Sequence, residues 1–300
     1  MFARVLFPTD FSAYANAVLA CLPELKTAGV GEAVVLSVIR PSDVPLPETF
    51  NREGLDAWSY SLEEQLNIAR MALEGKGLRV VTRVEYGNPV KQILSVADEE
   101  CVDMIVMGAQ GMTVAQELLI GSTAYEVVRR AATPVLLQKV EVIRELGHIR
   151  CSQICGQLFT HILYPTDFSE YAEAAFQVVK RLKVAGTRQI TVLHVQDERY
   201  LRQRSADQIA EFTRHDEERL EKLCNTLRMF GLQTESLLRR GIPFRETLQV
   251  ADEIEPSLIV MGAHGKSAVQ EMLAGSTLEN VVRLCRQPVL VVRPEMNLKM

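Results

Sequence analysis

The chain has 300 residues, of which 47% are apolar and 24% charged, and its formal net charge is −5. This balance belongs to a folded globular protein of one large or two ordinary domains and excludes a disordered chain. The acidic charge gives no bulk basicity to hold a nucleic-acid backbone, and no apolar run approaches the roughly 20 residues of a membrane span, so neither partner is expected. The opening MFARVLFPTDF carries neither a long apolar leader nor a small-residue cleavage site, which points to a cytoplasmic protein.

Short apolar runs alternate with helical periodicity along the chain. The first half predicts strands near Arg4–Pro8, Ala33–Ile39, Arg79–Glu85, Met104–Gly108 and Val135–Gln138. Between them fall helices near Ser12–Lys26, Tyr60–Gly75, Pro89–Glu100 and Thr123–Ala131. Arg40–Trp58 reads as a long proline-bearing loop, either a lid or contact surface or a disordered excursion. Lys139–Thr160 reads as a linker, helical in part. The second half predicts strands near Ile162–Pro165, Ile190–Val195, Thr234–Leu238, Leu258–Gly262 and Val289–Arg293, with helices near Ser169–Val184, Ala206–Met229, Pro243–Glu253 and Thr277–Cys285.

These halves are copies. VLFPTDFSAYANAV matches ILYPTDFSEYAEAA, so Asp10 pairs with Asp167, and MGAQGMTVAQELLIGST matches MGAHGKSAVQEMLAGST, so Gly108 pairs with Gly262. Two tandem domains follow, at 1–140 and 160–296, with 141–159 as linker. Strands such as MIVMG are apolar on successive residues, as parallel strands covered on both faces are. The expected fold is therefore α/β, two doubly wound five-stranded parallel sheets of order 3-2-1-4-5.

A sheet of this kind binds ligands beyond the carboxyl ends of its strands. PTD closes the first strand of each half and the glycine motif leaves the fourth. Gly108 and Gly262 let the chain turn off a buried strand and bring a ligand close to bare backbone, and Gly111 and Gly265 keep the next turn open. Gly121-Ser122-Thr123 and Gly275-Ser276-Thr277 precede amphipathic helical runs, whose first amides form an anion site. The competing reading is structural, with glycines for tight turns and hydroxyls as helix caps. No P-loop, no nucleophile elbow and no carboxylate cluster with magnesium spacing stands in the sequence. Among the six cysteines only Cys151 and Cys155 are close; with His148 and His161 they read as reduced thiols, a local disulfide or, least favoured, a metal site.

At these residues the chain resembles the universal stress protein family in its tandem form, whose nucleotide-binding members carry G-x2-G-x9-G-[ST]. Here that motif is Gly108, Gly111, Gly121, Ser122 and, again, Gly262, Gly265, Gly275, Ser276. The resemblance implies an adenine nucleotide alpha hydrolase-like fold binding ATP or AMP, with Mg²⁺ as a companion of ATP. By position, Asp10 and Asp167 would face adenine, Pro8 and Pro165 would border the ribose, and Thr9 and Thr166 would belong to the same nucleotide site. Val38, Val195, Met107 and Met261 would line the base pocket. For the aspartates a helix cap competes with the ligand role, and for the valines and methionines ordinary core packing does. His264 and Lys266 stand where the first half has Gln110 and Met112, so the second half is expected to hold ATP more tightly, His264 being otherwise a solvated loop residue. The family also implies an intra-chain pseudo-dimer through PVLLQK and PVLVVR, and a homodimer of whole chains. The expected role is a nucleotide sensor or buffer acting through a protein partner, against a slow Mg²⁺-dependent ATPase or a nucleotide-free scaffold.

Overall fold

The computed structural model describes residues 2–43, 52–109, 120–143, 148–151, 157–264 and 277–294. The chain divides into two compact units, Met1–Cys151 and Ser152–Met300.

The first unit starts with β1 (Arg4–Thr9), α1 (Ala13–Cys21), β2 (Glu32–Ile39), α2 (Arg52–Glu74) and β3 (Arg79–Tyr86). It continues with α3 (Pro89–Glu99), β4 (Met104–Gly108), α4 (Ser122–Arg130) and β5 (Val135–Gln138). The strands run parallel in the order β3-β2-β1-β4-β5. Strand order reverses direction after β3, so right-handed crossovers put α1 and α2 on one face, and α3 and α4, which pack together, on the other. The centres of β1, β2, β4 and β5 are buried: Val5, Leu6, Phe7, Val34, Val35, Ile105 and Leu136 are fully covered, whereas the outer strand β3 buries only Val80. That explains why these four strands read as near-continuous apolar runs instead of alternating ones.

A two-stranded antiparallel hairpin follows, β6 (Val140–Ile143) and β7 (His148–Cys151), with its backbone against α1. Where the sequence reading places partial helix, the described residues of this segment are strand at Val140–Ile143 and His148–Cys151 and irregular or turn elsewhere.

The second unit repeats the plan. It comprises β8 (His161–Pro165), α5 (Glu170–Arg181), β9 (Gln189–Asp197), a single-turn α6 (Glu198–Leu201), α7 (Ala206–Met229) and β10 (Gln233–Gly241). Then come α8 (Pro243–Ile254), β11 (Leu258–Gly262), α9 (Thr277–Leu284) and β12 (Val289–Val292). The parallel order is β10-β9-β8-β11-β12. The 3-2-1-4-5 order thus holds in both halves.

Three local differences from the sequence reading have clear causes. The segment Arg40–Trp58 is not loop throughout, because α2 begins at Arg52; REGLDAW contains good helix formers and no proline. The first helix of each half tightens at its end into a 3-10 turn, Leu22–Ala28 and Leu182–Ala185, and stops at a left-handed glycine, Gly29 (φ 94°) and Gly186 (φ 96°). Helix α6 has no counterpart among the expected elements; Asp197 opens it by accepting from the Arg199 N–H at 2.9 Å.

Cys101, Cys224 and Cys285 are free thiols, whereas Cys21 is disulfide-bonded. No group of three or more metal-ligating side chains occurs among the described residues. His161 is committed elsewhere: its Nε2 lies 3.0 Å from Thr191 Oγ1, and burial lowers its pKa despite the opposing charge of Glu235. The side chains of His148, Cys151 and Cys155 lie outside the described residues, and so does any joint site they form.

Candidate functional site

The pairing register brings the carboxyl ends of the inner strands together. Thr9 pairs with Ser37, so the next positions, Asp10 and Val38, adjoin each other. The β1–β4 pairing, Val5 with Met104 and Leu6 with Ile105, is parallel, so Pro8–Thr9 and Met107–Gly108 end their strands toward the same edge. In the second unit Pro165 pairs with Leu193, and the parallel β8–β11 pairing, Ile162 with Leu258 and Leu163 with Ile259, ends Pro165 and Met261–Gly262 toward the same edge. Each half therefore gathers its Pro-Thr-Asp turn, its valine and its Met-Gly strand end on one edge.

The turns are built alike. Thr9 Oγ1 accepts from the Phe11 N–H at 3.0 Å, Asp10 Oδ1 from the Ser12 N–H at 3.0 Å, and Ser12 Oγ from the Ala15 N–H at 3.1 Å. Thr166, Asp167 and Ser169 repeat these bonds to Phe168, Ser169 and Ala172 at 3.0, 3.0 and 3.2 Å. The serine is thus the helix cap, and the aspartate uses one carboxylate oxygen to shape the turn ahead of it. Phe11 and Phe168 sit at φ 54° and 59°, a left-handed conformation that costs a bulky side chain free energy. Both copies keep that strain. Asp10 is exposed and Asp167 half-buried; Val38 and Val195 are half-buried as well, so each shows surface at the edge and is not wholly core. Met107 and Met261 are buried.

Beyond β4 the chain returns to the same place. The Ala109 N–H donates to Gln138 O at 2.9 Å, and the Gly121 N–H donates to Ala109 O at 2.8 Å. Gly121 is the N-cap of α4, with extended backbone and no side-chain cap, Ser122 is exposed and Thr123 half-buried. The structure therefore unites Gly108, Gly121, Ser122 and Thr123 at one spot. Gly111, Gln110 and Met112 lie outside the described residues, as do Gly265, Lys266, Gly275 and Ser276; Thr277 is the first residue of α9.

Two second-half residues make contacts that the sequence does not announce. The motif gives Gly262 the task of making room for a ligand, yet a Cβ there would lie 2.6 Å from Tyr171 C, 2.7 Å from Tyr171 O and 2.9 Å from its Cβ. The space on its Cβ side is filled by α5, which leaves its N–H and C=O as the groups that could face a ligand. His264, expected at phosphate or in solvent, stacks its ring on Tyr171 with centroids 5.0 Å apart and planes 15° off parallel, and its Nδ1 lies 2.5 Å from Ala263 O.

Sequence reasoning misses a polar cluster beside the second turn. His194 Nδ1 lies 2.7 Å from Thr166 O, and its Nε2 is 3.5 Å from Asp216 Oδ2. Gln196 Nε2 donates to the same Asp216 oxygen at 2.9 Å. The buried Tyr164 hydroxyl donates to Ala172 O at 2.7 Å and lies 3.3 Å from Thr166 Oγ1; burial pushes its pKa above the usual tyrosine range. A comparison of the copies is the signal that would find these residues, because the first half holds Phe7, Ser37 and Ile39 at the corresponding positions.

Two successive α/β units, each with this edge, define a tandem doubly wound protein with a duplicated site. The sequence profile of the universal stress protein family matches residues 1–139 and 158–293. The chain belongs to the universal stress protein family. It is 33% identical over 155 residues to a universal stress protein of Methanocaldococcus jannaschii, an alignment covering 45% of this chain and 96% of that protein. A universal stress protein of Mycobacterium bovis is 24% identical over 258 residues, covering 83% of this chain and 81% of its own. The crystal structure of a universal stress protein from Archaeoglobus fulgidus superposes with a TM-score of 0.73 at 26% identity, covering 97% of this chain and 96% of the other.

Proposed function

We propose that each half binds an adenine nucleotide, ATP or AMP, at its carboxyl edge, with Mg²⁺ accompanying ATP, and that the protein senses or buffers this ligand and acts through a protein partner. The observation that carries the reading is the N-terminus of α4: a glycine without a capping side chain, pinned by one hydrogen bond beside the end of β4. Exposed first-turn amides and the positive end of the helix dipole suit a phosphate tail. The Ser122 and Thr123 hydroxyls add donors.

Asp10 and Val38 would then hold the base, Pro8 and Thr9 the ribose, and Met107 with Gly108 the floor. Pro165, Thr166, Asp167, Val195, Met261 and Gly262 take those parts in the second half, with Gly275, Ser276 and Thr277 toward phosphate. The strained Phe11 and Phe168 support a ligand role for the turns, because such conformations persist where function over-determines them. The repeated last strands, Val135–Gln138 and Val289–Val292, suit a pseudo-dimer within the chain, and a cytoplasmic homodimer of whole chains completes the proposal. Among the described residues no helix is long and apolar enough to cross a membrane. The proposal is tested by denaturing the purified full chain and taking a mass spectrum of the small molecules released. Adenine nucleotide in the released fraction supports it; its absence, also after incubation with millimolar ATP and desalting, contradicts it.

A further inference from the structure

The polar cluster around His194 joins the turn that carries Asp167 to a helix on the same face of the sheet. A backbone carbonyl can only accept, so the 2.7 Å contact with Thr166 O requires a proton on His194 Nδ1. Nε2 faces a second acceptor, Asp216 Oδ2, at 3.5 Å. A neutral ring with its proton on Nδ1 turns a lone pair toward that carboxylate. A doubly protonated ring turns an N–H toward it and forms an ion pair. The side chains are only 12% and 17% exposed, so solvent screens this difference weakly.

The surroundings hold Asp216 in place. Its Oδ2 accepts from Gln196 Nε2 at 2.9 Å, and Gln196 Oε1 lies 3.3 Å from the Thr213 hydroxyl, one turn earlier on α7, whose shorter bond is to Ile209 O at 2.9 Å. The Phe168 ring lies against His194 with centroids 4.5 Å apart, and the Arg219 guanidinium, also on α7, sits 3.9 Å from that ring's centroid. Arg219 opposes a charge on His194; Asp216 favours it. Asp167 follows the carbonyl that His194 grips. On β10 the register neighbour is the apolar Leu238, followed by the half-buried Arg239 and the exposed Arg240, the latter in register with Gln196.

We infer that His194 is a proton-responsive positioning residue, which ties the Thr166–Asp167 turn to α7 when its ring carries both protons and loosens that tie when it carries one. The device belongs to the second half alone, since the first has Ser37 in register with Thr9 and Ile39 in place of Gln196. Its effect on ligand affinity rests on the nucleotide reading above; the titration of His194 does not. Fixing Asp167 as protons bind makes the second half hold ATP more tightly at pH 6 than at pH 8, by about three- to tenfold.

The test has two arms on the full chain. In the first, the imidazole Cε1 resonances are followed against pH, His194 being assigned by its loss in His194→Asn. Asp216→Asn is expected to lower the His194 midpoint by about one pH unit, because the paired charge is gone. An unmoved midpoint overturns the inference whether or not a nucleotide binds. In the second arm, ATP affinity is measured from pH 6 to 8 for the parent chain, His194→Asn and His264→Asn. His194→Asn, which keeps a donor near the Nδ1 position, is expected to flatten the second-half profile while leaving the affinity at pH 8 within about twofold. A profile that survives in His194→Asn but vanishes in His264→Asn overturns it. Absence of ATP binding in every variant defeats the nucleotide reading instead, and the first arm then decides on its own.

Discussion

Replacing Gly262 by alanine separates two explanations of the same glycine. A Cβ at this position would meet the Tyr171 carbonyl carbon at 2.6 Å and its oxygen at 2.7 Å, closer than side-chain carbons sit to backbone in real structures. Neither atom belongs to a flexible side-chain end, so α5 must move away from β11 or the strand must bend. Overpacking of this kind costs about 1–3 kcal/mol, and in a domain of this size that lowers Tm by about 2–12 °C. Differential scanning calorimetry of the ligand-free chain is the assay, with Gly31→Ala as control because nothing lies within 4 Å of a Cβ at Gly31. If Gly262 served only to admit a ligand, Gly262→Ala would weaken nucleotide binding and leave the ligand-free transition unchanged. That result would refute the packing argument. The account predicts a second-unit transition that falls without any ligand present.

Three further outcomes follow from the geometry. Ser169→Ala removes the side chain that accepts from the Ala172 N–H, and should destabilise the second unit by about 0.5–2 kcal/mol in urea unfolding; an effect below about 0.3 kcal/mol would mean that the serine is not the cap. Burial depresses the His161 pKa below its unfolded value, so the stability it allows is complete above about pH 6.5 and is lost as pH falls through the folded value. His161→Gln should therefore shrink the loss of stability between pH 7 and 5, and an unchanged slope would contradict the assignment. Cys21 is disulfide-bonded and Cys101 an exposed free thiol, so alkylation of the denatured chain without reductant should label Cys101 and spare Cys21; a labelled Cys21 would disprove the bond.

Much of this fold is legible in the amino-acid sequence. Met104–Gly108, Leu258–Gly262 and Ala206–Met229 can be drawn to the residue, because buried parallel strands are unbroken apolar runs and α7 opens with a full capping box at Ser205 and Gln208. The Pro-Thr-Asp turns are legible too, since the duplication marks them. What stays hidden depends on which atoms meet in space. Gly262 looks the same in a string whether its empty side faces a phosphate or the backbone of Tyr171, and only the approach of α5 decides. His194 and Asp216 stand far apart in the chain, on a strand and a helix, so their pairing needs the register of the sheet and the rotation of α7. Helix α2 reads too short in the sequence because Pro45 and Pro47 colour the whole stretch as loop, although REGLDAW already favours helix.

The central claim is that each carboxyl edge takes one adenine nucleotide, and isothermal titration of the full chain with ATP and with AMP addresses it most directly. The account predicts saturable binding approaching two nucleotides per chain, with one site removed by Asp10→Ala and the other by Asp167→Ala. Titrations that show no saturable heat for either nucleotide at millimolar concentration would contradict it.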